Sequence, residues 1–208
     1  MKKAKMSNRK VPLQSRSKER VEKIISCAET LLKTTELSKV TTSRIAEEAA
    51  VPVGSIYQYF KDRDEILLAL GEQILERENN ILTTTFEELA PKAHWRRLVT
   101  ALLEIFSNLV AGDEIRYRLD IALSGHDEWQ LANLASENQM VHLFAGYPRF
   151  AEIGYSRKQA EAVARASIIC VKAMILRRPP HYPLGYSTDL ALEAEKVAIA
   201  YLASIFGD

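Results

Sequence analysis

Thr41-Thr42-Ser43-Arg44-Ile45-Ala46-Glu47-Glu48-Ala49-Ala50-Val51-Pro52-Val53-Gly54-Ser55-Ile56-Tyr57-Gln58-Tyr59-Phe60 reads as two short helices joined by a tight turn. Ile45 and Ala49 stand four apart and share a face of the first helix, as Ile56 and Phe60 do on the second. Two apolar faces of this kind bury each other. Outward on the second helix remain Ser55, Tyr57, Gln58 and Tyr59, which offer hydrogen bonds and aromatic surface but no carboxylate. A helix so dressed suits a groove walled by phosphates, where a carboxylate would be repelled. The pattern is a helix-turn-helix, and it makes double-stranded DNA the expected partner.

Charge is distributed to match. The chain of 208 residues has a formal net charge of only +1. Residues 1–63, however, hold 14 Lys and Arg against 7 Asp and Glu, whereas residues 64–208 hold 14 against 20. A basic head on an acidic body is expected of a DNA reader. Much of the basic excess lies before residue 21, so a solvated basic leader on a neutral protein is the plainer alternative. The hydrophobic fraction of 47% supports a real core, which excludes a disordered chain. No apolar run approaches the ~20 residues that span a bilayer, so no membrane partner is expected. The basic start, Met1-Lys2-Lys3-Ala4-Lys5, has no apolar stretch behind it and does not read as a signal peptide. Two cysteines, Cys27 and Cys170, build no disulfide framework, and a reduced cytoplasmic setting is expected.

Outward from the motif, residues 1–16 carry Lys2, Lys3, Lys5, Arg9, Lys10 and Arg16 with little that is apolar. They read as a flexible arm. Val21, Ile24, Ile25, Ala28, Leu31 and Leu32 predict an amphipathic helix capped at Ser17. Thr41 or Thr42 caps the first helix of the motif. Asp62 caps the next, whose apolar face runs through Ile66, Leu67, Leu70 and Ile74 to about Leu82. Beyond it, helices are predicted over 93–111, 114–124, 127–145, 156–177 and 188–206, with breaks at Pro91, Gly112-Asp113, Gly125-His126, Gly154 and Arg178–Gly185. The fold class is therefore all-α. The organisation is an arm over 1–16, a three-helix DNA-binding head over 17–62 and a larger helical body over 63–208.

The order of elements and the residues Thr41-Thr42-x-Arg44-Ile45-Ala46-x-x-Ala49 and Val51-x-x-Gly54-Ser55-Ile56-Tyr57-Gln58-Tyr59-Phe60 resemble the TetR family of bacterial transcription regulators. The resemblance covers residues 17–82. It implies that Thr42 donates to a phosphate, that Arg44 meets a phosphate or a base edge, and that Ser55 and Tyr57 hold the DNA backbone. It also implies that Gln58 and Tyr59 face the groove, with Gln58 the base reader, since glutamine pairs bidentately with adenine. Gly54 would allow close approach, and Lys61 and Arg63 would touch phosphate. For each a plainer reading stands beside this one: Tyr57 as half core, Arg44 as the partner of Glu47 or Glu48. The family's turn usually carries glycine where this chain has Ala50, and a left-handed backbone there would cost alanine roughly 1–2 kcal/mol. Pro52 replaces a small polar residue and suits a helix start.

In the body, residues 160–176 and 190–206 are apolar on more than one face and rich in small side chains. Two such helices per chain predict a four-helix homodimer interface, with Val163, Ser167, Val171, Met174, Ala198, Leu202 and Ile205 as its residues. The alternative is burial within one subunit. The resemblance also implies a ligand cavity walled by some of the intervening aromatic and apolar groups. Phe106, Tyr117, Trp129, Asn133, Met140 and Phe144 are the candidate lining, and Asn108, Arg116, Gln139 and His142 further polar anchors. The small-molecule effector would be apolar or mildly polar, because no cationic cluster awaits a multiply charged anion. His94, His126, His142 and His181 lack metal-ligand spacing, so neither a metal nor a cofactor is expected. Cys27 and Cys170 read as buried thiols. No phosphate loop, nucleophile elbow or triad suggests an enzyme. The expected function is a homodimeric, ligand-responsive regulator, most simply a repressor on a palindromic operator. The alternative is a DNA-tethered protein-interaction module whose body is filled and has no small-molecule inducer.

Overall fold

The computed structural model describes residues 15–111, 114–176 and 186–207. Most of the predicted basic arm, the break at Gly112-Asp113 and the loop with His181 lie outside the described residues. The chain divides into two compact units, Met1–Leu70 and Gly71–Asp208. Among the described residues there is no strand, and no helix is long and apolar enough to cross a membrane.

The first unit is built on α1 (Ser15–Thr34), α2 (Thr42–Glu48), α3 (Val53–Ile56) and the start of α4 (Arg63–Leu89). Ile24, Ile25, Ala28, Leu31 and Leu32 of α1 are buried, as are Ile45, Ala46, Ala49, Ile56 and Phe60. These are the positions that the three- and four-residue spacing selects. Because α1 begins at Ser15, Ser17 lies inside the helix and does not cap it. Thr41 caps α2, its side chain accepting from the Arg44 N–H at 3.2 Å. Asp62 caps α4, accepting from the Glu65 N–H at 2.9 Å, while the Glu65 carboxylate accepts from the Lys61 N–H. This reciprocal pairing satisfies N–H groups that a helix start leaves open.

The turn between α2 and α3 closes as a Schellman motif. Val51 N–H donates to Ala46 C=O at 3.0 Å and Ala50 N–H to Glu47 C=O at 3.0 Å. That geometry places Ala50 in the left-handed region, φ 51°, the position where glycine is ordinarily found. Helical hydrogen bonding continues past Ile56, with both Tyr59 and Phe60 N–H donating to Ile56 C=O at 2.9 Å.

Helix α4 runs to Leu89, beyond the predicted end near Leu82. Three successive β-branched residues, Thr83-Thr84-Thr85, do not end it. Instead the Thr85 hydroxyl donates back to Ile81 C=O at 3.0 Å, and the apolar spacing resumes with Phe86 and Leu89. In the second unit follow α5 (Trp95–Ala111), α6 (Glu114–Ala122), α7 (Asp127–Phe144), α8 (Pro148–Glu152), α9 (Arg157–Leu176) and α10 (Tyr186–Phe206). Helix α8 is one turn, too short to show periodicity, and it seats Phe150 4.8 Å from the Phe206 ring. Helix α9 packs on α7 and α10, and α5 on α6, α9 and α10. Gly71 of α4 lies so close to Trp129 of α7 that a Cβ would sit 2.4 Å from the indole.

The packing corrects the predicted dimer residues. Val163, Ser167, Val171, Ala198 and Leu202 are buried within the chain itself, and Met174 and Ile205 pack against the same core. They follow the alternative reading of these two helices, burial within one subunit. The exposed face carries Ala162, Ala166, Ile169 and Ala173 on α9, and Val197, Ala200 and Tyr201 on α10.

Replacing Ala50 by glycine should relieve the left-handed alanine, less the extra chain entropy that glycine loses on folding. A gain of about 1 kcal/mol is expected, read as a raised urea midpoint with unchanged slope. An unchanged or lowered midpoint would refute the strain assigned to this turn.

Candidate functional site

Two features of chemical interest stand in separate units. On the first, α2 and α3 bring together Thr42, Arg44, Gly54, Ser55, Tyr57, Gln58 and Tyr59. Arg44, Gly54, Gln58 and Lys61 are exposed, while Thr42, Ser55, Tyr59 and Arg63 are half-buried. Tyr57 is 57% exposed, so its ring is not a core element. Its hydroxyl meets the Thr42 hydroxyl at 3.3 Å, and the Ser17 hydroxyl of α1 donates to Tyr59 Oη at 3.3 Å. Two hydroxyl pairs thus orient the two tyrosines, and sequence spacing reveals neither. Arg44 forms no ion pair with Glu47 or Glu48. Arg63 is engaged by the Asp64 carboxylate at 2.6 Å, which leaves Lys61 the more available cation.

The second unit holds a cavity of about 120 Å³ lined from α4, α5, α6, α7, α9 and α10. Leu75, Leu82, Phe86, Val99, Leu102, Leu103, Phe106, Met140, Leu143, Phe144, Ile168, Val171, Leu176, Ala198 and Leu202 form its apolar wall. Glu78, Asn79, Arg116, Ser136, Glu137, Ser167 and Lys172 supply its polar groups. Of the predicted lining, Phe106, Met140 and Phe144 are there. Tyr117, Trp129 and Asn133 are not: Trp129 is buried against Gly71, with its Nε1–H donating to Asp120 at 2.9 Å. Asn133 stands behind the wall, accepting from Arg116. Of the further anchors, only Arg116 lines the cavity. Gln139 accepts from Asn79 at 3.0 Å, His142 is exposed beside Glu161 at 3.1 Å, and Asn108 is exposed.

Sequence reading missed the contribution of α4, which supplies Leu75, Glu78, Asn79, Leu82 and Phe86. A signal was present: Glu78 and Asn79 occupy core spacing between Ile74-Leu75 and Leu82, where polar residues are out of place unless paired. Arg116 between Ile115 and Leu119 is the matching anomaly. Glu78 and Arg116 are 5% and 3% exposed and bond at 2.9 Å. Arg116 also stacks over the Trp129 ring at 5.4 Å. Nearby, Glu137 pairs with Lys172 at 3.2 Å and Arg165 at 3.8 Å.

Both cysteines are partly exposed rather than buried. Burial and the Glu48 carboxylate still push the Cys27 thiol up, away from a reactive thiolate. Among the described residues no cluster of His, Cys, Asp and Glu could hold a metal.

Because the Glu78–Arg116 pair is buried, removing one member strands the other. Arg116→Met and Glu78→Leu should each cost about 3–5 kcal/mol, and the double variant should recover most of that loss. Chemical denaturation of the four proteins checks this; additive losses would show that the two side chains are not energetically paired.

Comparison with known proteins bears on both features. Residues 24–70 match the sequence model of bacterial regulatory proteins, tetR family. Over 105 residues the chain is 27% identical to a fatty acid metabolism regulator protein of Bacillus subtilis, the match covering 50% of each. Over 96 residues it is 30% identical to an uncharacterized HTH-type transcriptional regulator of Haemophilus influenzae, covering 42% of this chain and 51% of that one. The chain thus spans about half the length of the curated relatives it matches. The fold compares over nearly its whole length with a TetR-family transcriptional regulator from Mesorhizobium loti (TM-score 0.70, 16% identity, 92% and 98% of the two chains). It also compares with the regulator FadR from Bacillus subtilis, solved with stearoyl-CoA (TM-score 0.56, 19% identity, 86% and 98%). All four of these proteins are regulators by name. The helix-turn-helix of the first unit thus matches the sequence model of the tetR family of bacterial regulatory proteins, and the all-helical fold is that of solved TetR-family regulators.

Proposed function

We propose that the protein is a homodimeric repressor that binds a palindromic operator through α2 and α3 and leaves it when a small apolar or mildly polar effector enters the second unit. The observation that carries this reading is the cavity. A filled body would suit a DNA-tethered interaction module; a cavity walled by apolar side chains with a few polar groups suits a ligand. Solved proteins of the same fold hold molecules as different as stearoyl-CoA and imidazole. The likeness therefore supports a ligand without naming one.

Helix α4 carries the chain from the first unit into the second and supplies five of the cavity's lining residues. An effector that favours one position of α4 would change the spacing of paired recognition helices, which must match successive major grooves ~34–36 Å apart. A coupling of about 1–3 kcal/mol would alter operator affinity several-fold to about a hundred-fold. The exposed stripe of Ile169, Val197 and Tyr201 supports α9 and α10 as the dimer surface. Thr42, Arg44, Ser55, Tyr57, Tyr59, Lys61 and Arg63 serve as backbone contacts and Gln58 as the base reader, with Gly54 permitting close approach. Residues 1–16 add basic charge to the same head.

Binding to the DNA upstream of the gene, against scrambled DNA across a salt series, should be sequence-dependent with a steep salt slope. Gln58→Ala should reduce discrimination between the two DNAs by about tenfold. Equal binding to both DNAs by the wild type would overturn the operator reading; discrimination unchanged in Gln58→Ala would remove Gln58 from base reading. Ile169→Glu with Val197→Glu should convert the dimer to monomer in light scattering, and a dimer that persists would move the interface elsewhere.

A further inference from the structure

We infer that the cavity takes an uncharged, mainly apolar molecule about the size of one substituted benzene ring, bearing a single hydrogen-bonding group. This rests on the effector reading above and narrows it to a chemical class.

Size comes first. The cavity is about 120 Å³, and an apolar protein cavity of ~150 Å³ takes up a benzene. Phe86, Phe106, Phe144 and Met140 offer flat and adaptable surfaces for such a ring.

Charge then selects the head group. Four ionic side chains line the cavity, two of each sign, and they are already paired as Arg116 with Glu78 at 2.9 Å and Lys172 with Glu137 at 3.2 Å. Behind the wall one further charge attends each pair, Asp120 at 4.0 Å from Arg116 and Arg165 at 3.8 Å from Glu137, and the six charges balance to zero. An entering ion would lose its water and gain only a share of a counter-charge that is already engaged. A hydroxyl or carbonyl loses far less on entry. A ligand hydroxyl also finds an acceptor in the wall, the buried Ser167 Oγ, whose own proton goes to Val163 C=O at 3.0 Å. A hydrogen bond made there offsets the water that the hydroxyl loses.

The test is calorimetric titration of the full chain, near neutral pH, with four probes of matched size: toluene, benzyl alcohol, benzoate and benzylammonium. Benzyl alcohol should bind about tenfold or more tightly than either ion, and several-fold more tightly than toluene. Met140→Trp and Phe144→Trp, which fill the cavity from half-buried positions, should each weaken benzyl alcohol by about tenfold. Tighter binding of benzoate or benzylammonium overturns the charge argument but leaves an effector site standing. Equal binding of toluene and benzyl alcohol overturns the hydrogen-bonding group. Binding by none of the four overturns the class as a whole, and binding undiminished in both tryptophan variants overturns the location. The operator reading is tested apart from all of these, by DNA binding without any compound.

Discussion

A guanidinium taken almost wholly out of water has to find its counter-charge inside the protein, and in the second unit that requirement ties three helices together. Arg116 rises from α6, meets Glu78 of α4, donates to Asn133 of α7 and lies over the Trp129 ring of the same helix. Removing these groups from water costs several kcal/mol per ion, repaid only where geometry is good and the remaining hydrogen bonds are made. The arrangement is therefore sensitive: a shift of α4 against α6 or α7 disturbs a charge that has nowhere else to go. It also lines the cavity. Cavity wall and helix register thereby depend on the same atoms, which is the physical condition for occupancy of the cavity to be felt along α4.

The first unit solves a different problem with weaker interactions. Its helices are short, and short helices are not stable alone. Burial of Ile45, Ala49, Ile56 and Phe60, with α2 packed on both α1 and α3, supplies the stability. Caps at Thr41 and Asp62 and the closed turn at Ala50 fix where each helix starts and stops. What is left for the exposed face is orientation, and there hydroxyl contacts to Thr42 and Ser17 restrict the two tyrosines. Side chains already held in place lose less freedom when they meet a partner.

Legibility in the sequence followed the length scale of the interaction. The all-helical class, the motif at 41–60, the cap at Asp62 and the left-handed demand on Ala50 are local, set by residues a few positions apart. Periodicity could also say that α9 and α10 are apolar on several faces. It does not say which face the rest of the chain covers, and so the residues expected at a dimer interface fall on the buried side. The cavity is the least local feature. Its walls come from six helices, and aromatic content alone cannot separate Phe106 and Phe144, which line it, from Trp129, which fills a notch beside Gly71. The most useful local signal was a contradiction, the acid and amide at core positions 78 and 79. Its meaning depends on Arg116, 38 residues away.

The notch itself imposes an order on change. Every residue other than glycine brings a Cβ, and at position 71 that atom would fall 2.4 Å from the Trp129 ring. Any missense mutation in that codon therefore meets the same obstacle, whichever base is altered. The indole faces no such absolute bar, because a smaller ring at 129 leaves space at the cost of some packing. A lineage that came to hold a larger residue at 71 would thus have had to shrink position 129 first. The reverse sequence of steps passes through an intermediate with overlapping atoms. One close approach between two helices turns two separate substitutions into a path with a preferred order.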